Sequence, residues 1–239
     1  MKALKCINLL FKFSAMICAI HQPNFIPYLG FFQKFKQSDI FVLYDIAQYS
    51  KNDFHNRNQI KTANGAAWLS IPVNVHLGQT VAEALVAQTD FQQKHLKTLE
   101  VNYKKAPFFQ ELFPQLVSLY HEPSLKLIDI NMRLLRFVFN LFDPKKKVVL
   151  ASELEWNKVT KSTDALVEIL ATVKADTYLS GVGARKYLDE KIFETHGISL
   201  QWQEFSHPTY PQQWGEFIVN LSVLDALFNI GPEKTYSLI

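Results

Sequence analysis

A histidine, a glutamine and an asparagine follow the first strand-like apolar run, in the stretch AIHQPNFIPYLGFFQKF at residues 19–35. Pro23 fixes its φ angle and donates no backbone hydrogen bond, so the strand is expected to end there. His21, Gln22 and Asn24 would then emerge beyond the carboxyl end of a strand, where open α/β sheets bind ligands. Imidazole titrates near neutral pH, so His21 can serve as acid, base or phosphate donor. The alternative is a histidine that only hydrogen-bonds a neighbouring loop.

A second polar group lies in FVLYDIAQYSKNDFHNRNQIK at residues 41–61. The strand predicted at Phe41–Tyr44 brings Asp45 to the same edge of the sheet as His21. Further polar side chains follow closely: Gln48, Lys51, Asn52, His55, Asn56, Arg57 and Asn58. A guanidinium among several amides offers fixed donors that suit a phosphate, a carboxylate or a sugar. A polar surface loop is the alternative interpretation.

Two other stretches place polar groups at predicted strand ends. Glu153, in ASELEW, follows the strand Val148–Ala151 and is a candidate general base or sugar ligand. In YLSGVGARKYL, Ser180 and Gly181 open a turn whose backbone N–H groups would attract an anion at a helix start. The GxGxxG and P-loop spacings are missing, so a plain strand-to-helix turn explains this stretch equally well.

Standard catalytic motifs are absent from the sequence, which contains no GxSxG, HExxH or paired DxD pattern. Cys6 and Cys18 have neither CxxC nor Cys/His spacing, so neither a metal site nor a disulfide framework is predicted. Such sparse cysteine usage is typical of a reducing compartment. The sequence identifies no metal ligand and no cofactor.

The composition limits the class of partner. The chain has 239 residues, 48% hydrophobic and 20% charged, which is typical of a globular protein. Its net charge of +3 is dispersed apart from the run Lys145–Lys147. A nucleic-acid partner is not expected, because such binding requires a denser basic stripe. No stretch after the first nineteen residues approaches the roughly 20 apolar residues of a transmembrane segment.

The first nineteen residues imitate a signal peptide, with Lys2 and Lys5 ahead of an apolar run. However, Lys12 interrupts that run, and Ile17–Ile20 fits the first core strand better. We therefore expect residues 1–16 to be an N-terminal extension, either upstream of a true start at Met16 or a short disordered or helical segment. A cytoplasmic location follows from this interpretation.

Strand-like and helical segments alternate along the rest of the chain. A helix is predicted at Ser162–Lys174, where Leu166, Ile169, Leu170 and Val173 recur with helical spacing. The strand-like runs are Ile17–Ile20, Ile40–Tyr44, Trp68–Val73, Val148–Ala151, Thr177–Ser180 and Ile198–Trp202. This alternation predicts an α/β fold, with a Rossmann-like, mostly parallel sheet and flanking helices.

The middle and the end of the chain are predicted to be helical. Helices are expected at 90–103, 108–120 and 125–142, so an inserted helical lobe is predicted at about residues 88–143. A last helix is expected at Phe217–Phe228, with a stop at Asn229 and Gly231. Residues 17–239 are assigned to one α/β domain.

Several stretches together resemble the WbqC-like proteins, which occur in bacterial gene clusters for O-antigen and related surface polysaccharides. The matching stretches are HQPNFIPYLGFFQKF, DIFVLYDIAQYSKNDFHNRNQIK, KHLKTLEVNYKKAPFF, SEL, YLSGVGARKYL and LSVLDALFNIG. The family often has Asp-Asp-Val-Gln where this chain reads Asp45-Ile46-Ala47-Gln48. Any role of the second acid, such as magnesium binding, is therefore not expected here.

The resemblance implies a part in O-antigen assembly, including aminoacyl or glycyl transfer to an amino sugar. It carries motif roles to His21, Gln22, Pro23, Asn24, Gly30, Lys34, Asp45, Gln48, Lys51, Asn56, Arg57, Asn58, Glu153, Ser180, Gly181 and Asp225. A looser likeness to the opening of Rossmann-like nucleotidyltransferases rests on a strand followed by His, Pro and Gly. The chain lacks their HxGH motif, so this likeness is an analogy.

The sequence therefore favours a transferase acting on a phosphorylated or nucleotide-linked sugar. In this hypothesis His21 is the acid/base, Lys51 and Arg57 neutralise phosphate, and Asp45 or Glu153 orients or deprotonates the acceptor. Gln22, Asn24, Gln48, Asn56, Asn58, Ser180 and Gly181 complete the expected substrate site. The alternatives are a non-catalytic sugar- or nucleotide-binding partner of a biosynthetic enzyme and a nucleotidyltransferase-like enzyme.

Overall fold

A computed structural model of the chain describes residues 15–88 and 90–239. Most of the expected N-terminal extension, with Cys6, lies outside the described residues. Met16 is already part of the fold, because its backbone N–H donates to Asp176 Oδ2 at 2.9 Å. Its carbonyl oxygen accepts from the backbone N–H groups of Asp176 and Thr177.

The described residues form nine strands and eight α-helices. The strands are β1 (Ile17–His21), β2 (Ile40–Leu43), β3 (Arg57–Thr62), β4 (Gly65–Ser70), β5 (Val73–Asn74), β6 (Leu85–Val86), β7 (Lys147–Leu150), β8 (Thr177–Ser180) and β9 (Ser199–Trp202). The helices are α1 (Leu29–Gln37), α2 (Phe91–Tyr103), α3 (Phe109–His121), α4 (Leu127–Phe142), α5 (Ser162–Thr172), α6 (Glu190–Thr195), α7 (Val223–Ile230) and α8 (Pro232–Leu238).

Five strands form a parallel sheet in the order β7-β2-β1-β8-β9, which confirms the predicted α/β class. The chain starts in the middle at β1, moves outward through β2 to β7, and then returns to build β8 and β9 on the other side. The strand order therefore reverses between β1 and β8. In open α/β sheets this reversal leaves a crevice at the carboxyl ends of the two strands, where ligands bind.

Helices cover both faces of the sheet. Successive residues of a strand point to opposite faces, and Ala19 therefore packs into one hydrophobic cluster while Cys18 and Ile20 pack into another. The first cluster contains the aromatic rings of α1, including Phe35, which stacks on Phe139 of α4 with 4.5 Å between ring centroids. The second cluster is formed with α5 and α6.

Three consecutive helices, α2, α3 and α4, occupy the segment in which a helical lobe is expected. Their apolar faces contribute Leu99, Leu112 and Leu135 to the same cluster as α1 and the sheet. The helices therefore share the core of the α/β layers. The assignment of residues 17–239 to a single domain stays a prediction.

Two predicted elements have different bounds in the structure. The strand expected at Trp68–Val73 is divided: its first half is the end of β4 in the antiparallel hairpin β3–β4, which turns between Thr62 and Gly65, and Val73 begins β5. The helix expected at Phe217–Phe228 begins only at Val223, because Ser222 caps it by accepting from the Leu224 N–H at 3.2 Å. It ends before Gly231, as predicted.

None of the helices in the described part of the chain is both long and apolar enough to cross a membrane.

Candidate functional site

A large cavity lies at the carboxyl ends of β1, β8 and β9, where the strand order reverses. Its volume is about 910 Å³. We call it the switch-point cavity and define it by six of its lining residues: His21, Gln22, Tyr28, Lys34, Ser180 and Gln203. Four of these residues end or directly follow a strand of the sheet, so the fold itself holds them at one edge.

His21 is the last residue of β1 and presents a neutral imidazole to the cavity. Its Nδ1 lies 3.0 Å from the carbonyl oxygen of Gln22, which can only accept, so the proton is on Nδ1. Burial and then the charge of Lys34 lower the pKa of His21 well below its usual range. Nε2 consequently carries a lone pair, and His21 is set up as a proton acceptor.

Lys34 reaches the same cavity from α1, although only 5% of its surface is exposed. Its Nζ lies 3.6 Å from the position that a Cβ of Gly181 would occupy. Burial lowers the pKa of this amine to about 7. Within residues 15–88 and 90–239 no carboxylate forms an ion pair with it. A buried lysine that faces a cavity without a counter-ion is typical of a functional site.

Ser180 ends β8 and adds a hydroxyl to the cavity wall. It is 1% exposed, and its Oγ has no partner at hydrogen-bonding geometry among the described residues, although the Tyr178 hydroxyl is close. Its carbonyl oxygen accepts from the Gln203 backbone N–H at 2.7 Å, which ties β8 to the end of β9. Gly181 leads into a five-residue 3₁₀ turn, Val182–Lys186, instead of the longer helix expected from the sequence.

Gln203 and Gln22 present opposite ends of their side-chain amides to the cavity, the first an acceptor and the second a donor. Gln203 donates through Nε2 to the Gly30 carbonyl at 2.7 Å and to Gln33 Oε1 at 2.8 Å, so its own Oε1 is left as an acceptor. In Gln22 the Oε1 atom is occupied by His55, at 2.7 Å from Nε2, which leaves the NH₂ group as a donor. The cavity thus combines a base, an amine, a hydroxyl and amides of both senses.

A second cavity of about 590 Å³ lies between the β2–β3 loop and the chain that follows β4. We call it the loop cavity and define it by Lys51, Asn56, Arg57, Ile71, Val73 and His76. Four of the residues predicted to bind substrate, Gln48, Lys51, Asn56 and Arg57, line this cavity and not the first. The structure therefore divides the predicted polar group between two places.

Four other predicted residues line neither cavity. Asp45 is 2% exposed, and its Oδ1 accepts from the Ser152 N–H at 3.0 Å, which joins the ends of β2 and β7. Asn58 donates to the carbonyl oxygens of Phe25 and Ile26 at 3.3 and 2.8 Å. Asn24 is half-buried, and Glu153 is exposed. The catalytic roles of Asp45 and Glu153 stay predictions.

Tyr28 and Gln203 were outside the expected site, and Lys34 had a motif role only through the family resemblance. The signal for Lys34 was its spacing, because it lies four residues after Gly30 and three after Phe31, on a face of α1 that is otherwise buried. Gly30 itself is required by Tyr28, since a Cβ there would lie 2.4 Å from the tyrosine ring. Gln203 had no local signal.

Among the residues that the structure describes, no group of three or more His, Cys, Asp or Glu side chains is arranged to hold a metal ion.

Comparison with known proteins gives one family and an uncharacterised relative. Residues 22–237 match the WbqC-like protein family. The chain is also 35% identical over 219 residues to the uncharacterized protein Rv1507c of Mycobacterium tuberculosis, covering 90% of this chain and 94% of the relative. No solved structure matches the chain significantly.

Proposed function

The chain belongs to the WbqC-like protein family, and we propose that its switch-point cavity is the active site of a cytoplasmic transferase in bacterial surface-polysaccharide biosynthesis. The substrate is a phosphorylated or nucleotide-linked amino sugar, and the reaction is aminoacyl transfer to its amine. The observation that carries the proposal is the buried Lys34 amine, which faces the cavity beside His21 and Ser180 and has no counter-ion among the described residues. The surface-polysaccharide role follows from what the family resemblance implies.

Lys34 is suited to binding the phosphate. Desolvation lowers its pKa to about 7, so the amine is partly neutral when the cavity contains no anion. An approaching phosphate stabilises the ammonium form of Lys34, and the positive and negative charges then balance each other in the cavity. Gly181 leaves the amine accessible, because no side chain stands between Nζ and the turn after β8.

His21 is suited to the proton transfer. In acyl transfer to an amine, the amine nitrogen attacks the acyl carbon, the C–N bond forms, and the leaving group departs with its electron pair. The attacking nitrogen must lose a proton, and the free Nε2 of His21 is the acceptor for it. The Ser180 hydroxyl and the Gln22 NH₂ group are donors for the developing oxyanion.

The sheet order supports a nucleotide-linked substrate. A parallel sheet that reverses between β1 and β8 has its phosphate-binding crevice beside the carboxyl end of the first strand. His21 and Gly181 flank that position. The same observation favours the second candidate, a nucleotidyltransferase-like enzyme, in which His21 and Lys34 would both contact the phosphates.

The two reactions and a purely binding function are separated by one set of measurements. A UDP-linked amino sugar is titrated into the wild type and the Lys34→Met and His21→Ala variants. Products of incubation with an activated aminoacyl donor are then identified by mass. We expect Lys34→Met to lose binding, and His21→Ala to retain binding while losing the aminoacylated product. Transfer of the UMP group with release of the sugar 1-phosphate would indicate nucleotidyl transfer, and binding by the wild type without turnover would indicate the non-catalytic alternative.

A further inference from the structure

The loop cavity has a basic and an apolar side but no acidic residue. Lys51 and Arg57 supply two cations, and His76 adds an imidazole. None of the residues that line the cavity is a carboxylate. Asp53 belongs to the same loop but lies outside the lining, and its Oδ1 accepts from the Phe54 N–H at 2.7 Å.

Arg57 is held in a fixed orientation without being neutralised. Its guanidinium carbon lies 4.3 Å from the centroid of the Trp68 ring, and Nη2 donates to the carbonyl oxygen of Asn52. No carboxylate in the described part of the chain pairs with it. A planar guanidinium stacked on an aromatic ring keeps its remaining donors aligned for a bidentate contact with an anion such as phosphate.

The neighbouring asparagine fixes the cavity wall. Asn56 Oδ1 accepts from the Tyr49 hydroxyl at 2.8 Å, and Asn56 Nδ2 donates to the Ile71 carbonyl at 2.7 Å. This bridge fastens the loop that carries the cations to the chain after β4. The cations therefore face the apolar wall across a built cavity.

The opposite wall and the rim are apolar. Ile71, Pro72, Val73 and Val75 line the wall, and Leu77 at the rim is 100% exposed. Next to Arg57, the rings of Phe54 and Trp68 are each 45% exposed and lie 6.2 Å apart. Large apolar side chains exposed together beside cations are typical of a surface that contacts the head groups and chains of lipids.

We propose that the loop cavity binds an anionic amphiphile, namely a phosphate ester carried on a long apolar chain. The phosphate contacts Arg57 and Lys51, and the chain lies along Ile71 to Val75 toward Leu77. This function is separate from the proposed transferase chemistry, because the two cavities share no lining residue. A phospholipid in a bilayer and a dispersed molecule of the same class present the same chemistry, so the experiment includes both.

The test measures binding of the full chain to phosphatidylcholine vesicles with and without phosphatidic acid, and to short-chain phosphatidic acid and inorganic phosphate in solution. We expect binding to vesicles only when phosphatidic acid is present. Replacing both cations, by Lys51→Gln with Arg57→Gln, should weaken it by about thirtyfold, as for the loss of two cations from an anionic surface. Lys145→Gln with Lys147→Gln removes the same charge from exposed positions outside the cavity and should leave binding unchanged.

A second pair of variants, one in the cavity and one outside it, tests the contact with the apolar chain. Leu77→Ser should weaken binding to the vesicles, whereas Leu125→Ser, at a site that is 68% exposed and outside the cavity, should not. If short-chain phosphatidic acid binds and the vesicles do not, the ligand is a dispersed amphiphile and the proposal stands. The proposal is overturned if inorganic phosphate binds as tightly as phosphatidic acid, or if the two double variants lose binding equally. It is also overturned if the vesicles bind equally well without phosphatidic acid.

Discussion

His55 donates a hydrogen bond to the side chain of Gln22, with 2.7 Å between His55 Nε2 and Gln22 Oε1. The Ser50 N–H donates to His55 Nδ1 at 3.2 Å, so the proton of the neutral ring must be on Nε2. Burial lowers the pKa of His55 and favours that neutral form. One side chain of the β2–β3 loop thus sets the orientation of an amide in the switch-point cavity.

The first prediction concerns this orientation. In His55→Leu, Gln22 Oε1 no longer accepts a hydrogen bond from residue 55, and the Gln22 amide is free to rotate. We expect kcat for aminoacyl transfer to fall by about fivefold with little change in KM, since one oriented hydrogen bond contributes about 1 kcal/mol and this one is made to the developing oxyanion. Steady-state kinetics and calorimetric titration measure this, with His196→Ala as the control at an exposed histidine. Unchanged kcat in His55→Leu, in a variant that folds, would contradict the positioning role.

The second prediction concerns His21 as the base. His21→Ala should keep its fold and substrate affinity but lose roughly 10²- to 10⁴-fold in kcat, the usual contribution of general base catalysis. Far-UV circular dichroism and turnover measured by product mass provide the two readouts. Retention of more than a tenth of wild-type turnover would show that the proton goes elsewhere, for example to Glu153 or bulk water.

The third prediction concerns pH and follows from the same histidine. Burial and the neighbouring Lys34 hold the pKa of His21 well below the usual imidazole range. The base therefore stays neutral as the pH falls, and kcat should not decline through pH 6.5 as it would for an exposed histidine. A pH–rate profile checks this. An acid limb centred near 6.5 would mean that His21 is not the titrating base.

The fourth prediction concerns the stability cost of Lys34. The pKa of this amine is about 7 in the folded chain and about 10.5 in the unfolded chain, so the unfolded state binds more protons between these values. Wild-type stability should therefore rise with pH across this window, and Lys34→Met should be more stable than wild type at pH 7 and below. Each pKa unit corresponds to about 1.4 kcal/mol, so the gain should reach a few kcal/mol.

Urea unfolding at several pH values measures this gain, which should shrink as the pH approaches 10.5. Lys104→Met is the matched control, because Lys104 is exposed and should give no such pattern. If Lys34→Met is less stable than wild type at pH 7, the Lys34 amine stabilises the fold. Its burial would then not lower stability for the sake of ligand binding.

The parallel sheet was predictable because its strands are short apolar runs separated by helical periodicity, and both β1 and β2 are buried on their two faces. His21 was predictable for the same reason, since it directly ends such a run. Only the family resemblance pointed to Lys34, because a lysine on a helix is normally exposed, whereas this one is buried close to Gly181, far away in the sequence. No local pattern contains that contact.

The division into two cavities was also beyond sequence reasoning. Asp45 was expected beside His21 because both follow neighbouring strands, and Arg57 was expected there because it comes soon after Asp45 in the same polar stretch. In the structure Arg57 begins the hairpin β3–β4, which is outside the parallel sheet, and so it faces Ile71 and Val73 instead. Asp45 Oδ1 accepts a hydrogen bond from the Ser152 N–H instead. The first outcome depends on how the hairpin packs, and the second depends on a contact between the ends of β2 and β7.

The most direct test of the proposed site is the affinity of a UDP-linked amino sugar as a function of pH, measured by calorimetry for wild type and Lys34→Met. Its diphosphate diester does not titrate between pH 7 and 9, whereas free Lys34 loses its proton above about pH 7. We predict that wild-type affinity falls by up to about tenfold per pH unit in this range, as for uptake of one proton, and that Lys34→Met binds weakly at every pH. Affinity that is independent of pH, or equal in the two proteins, would contradict the assignment of the phosphate to Lys34.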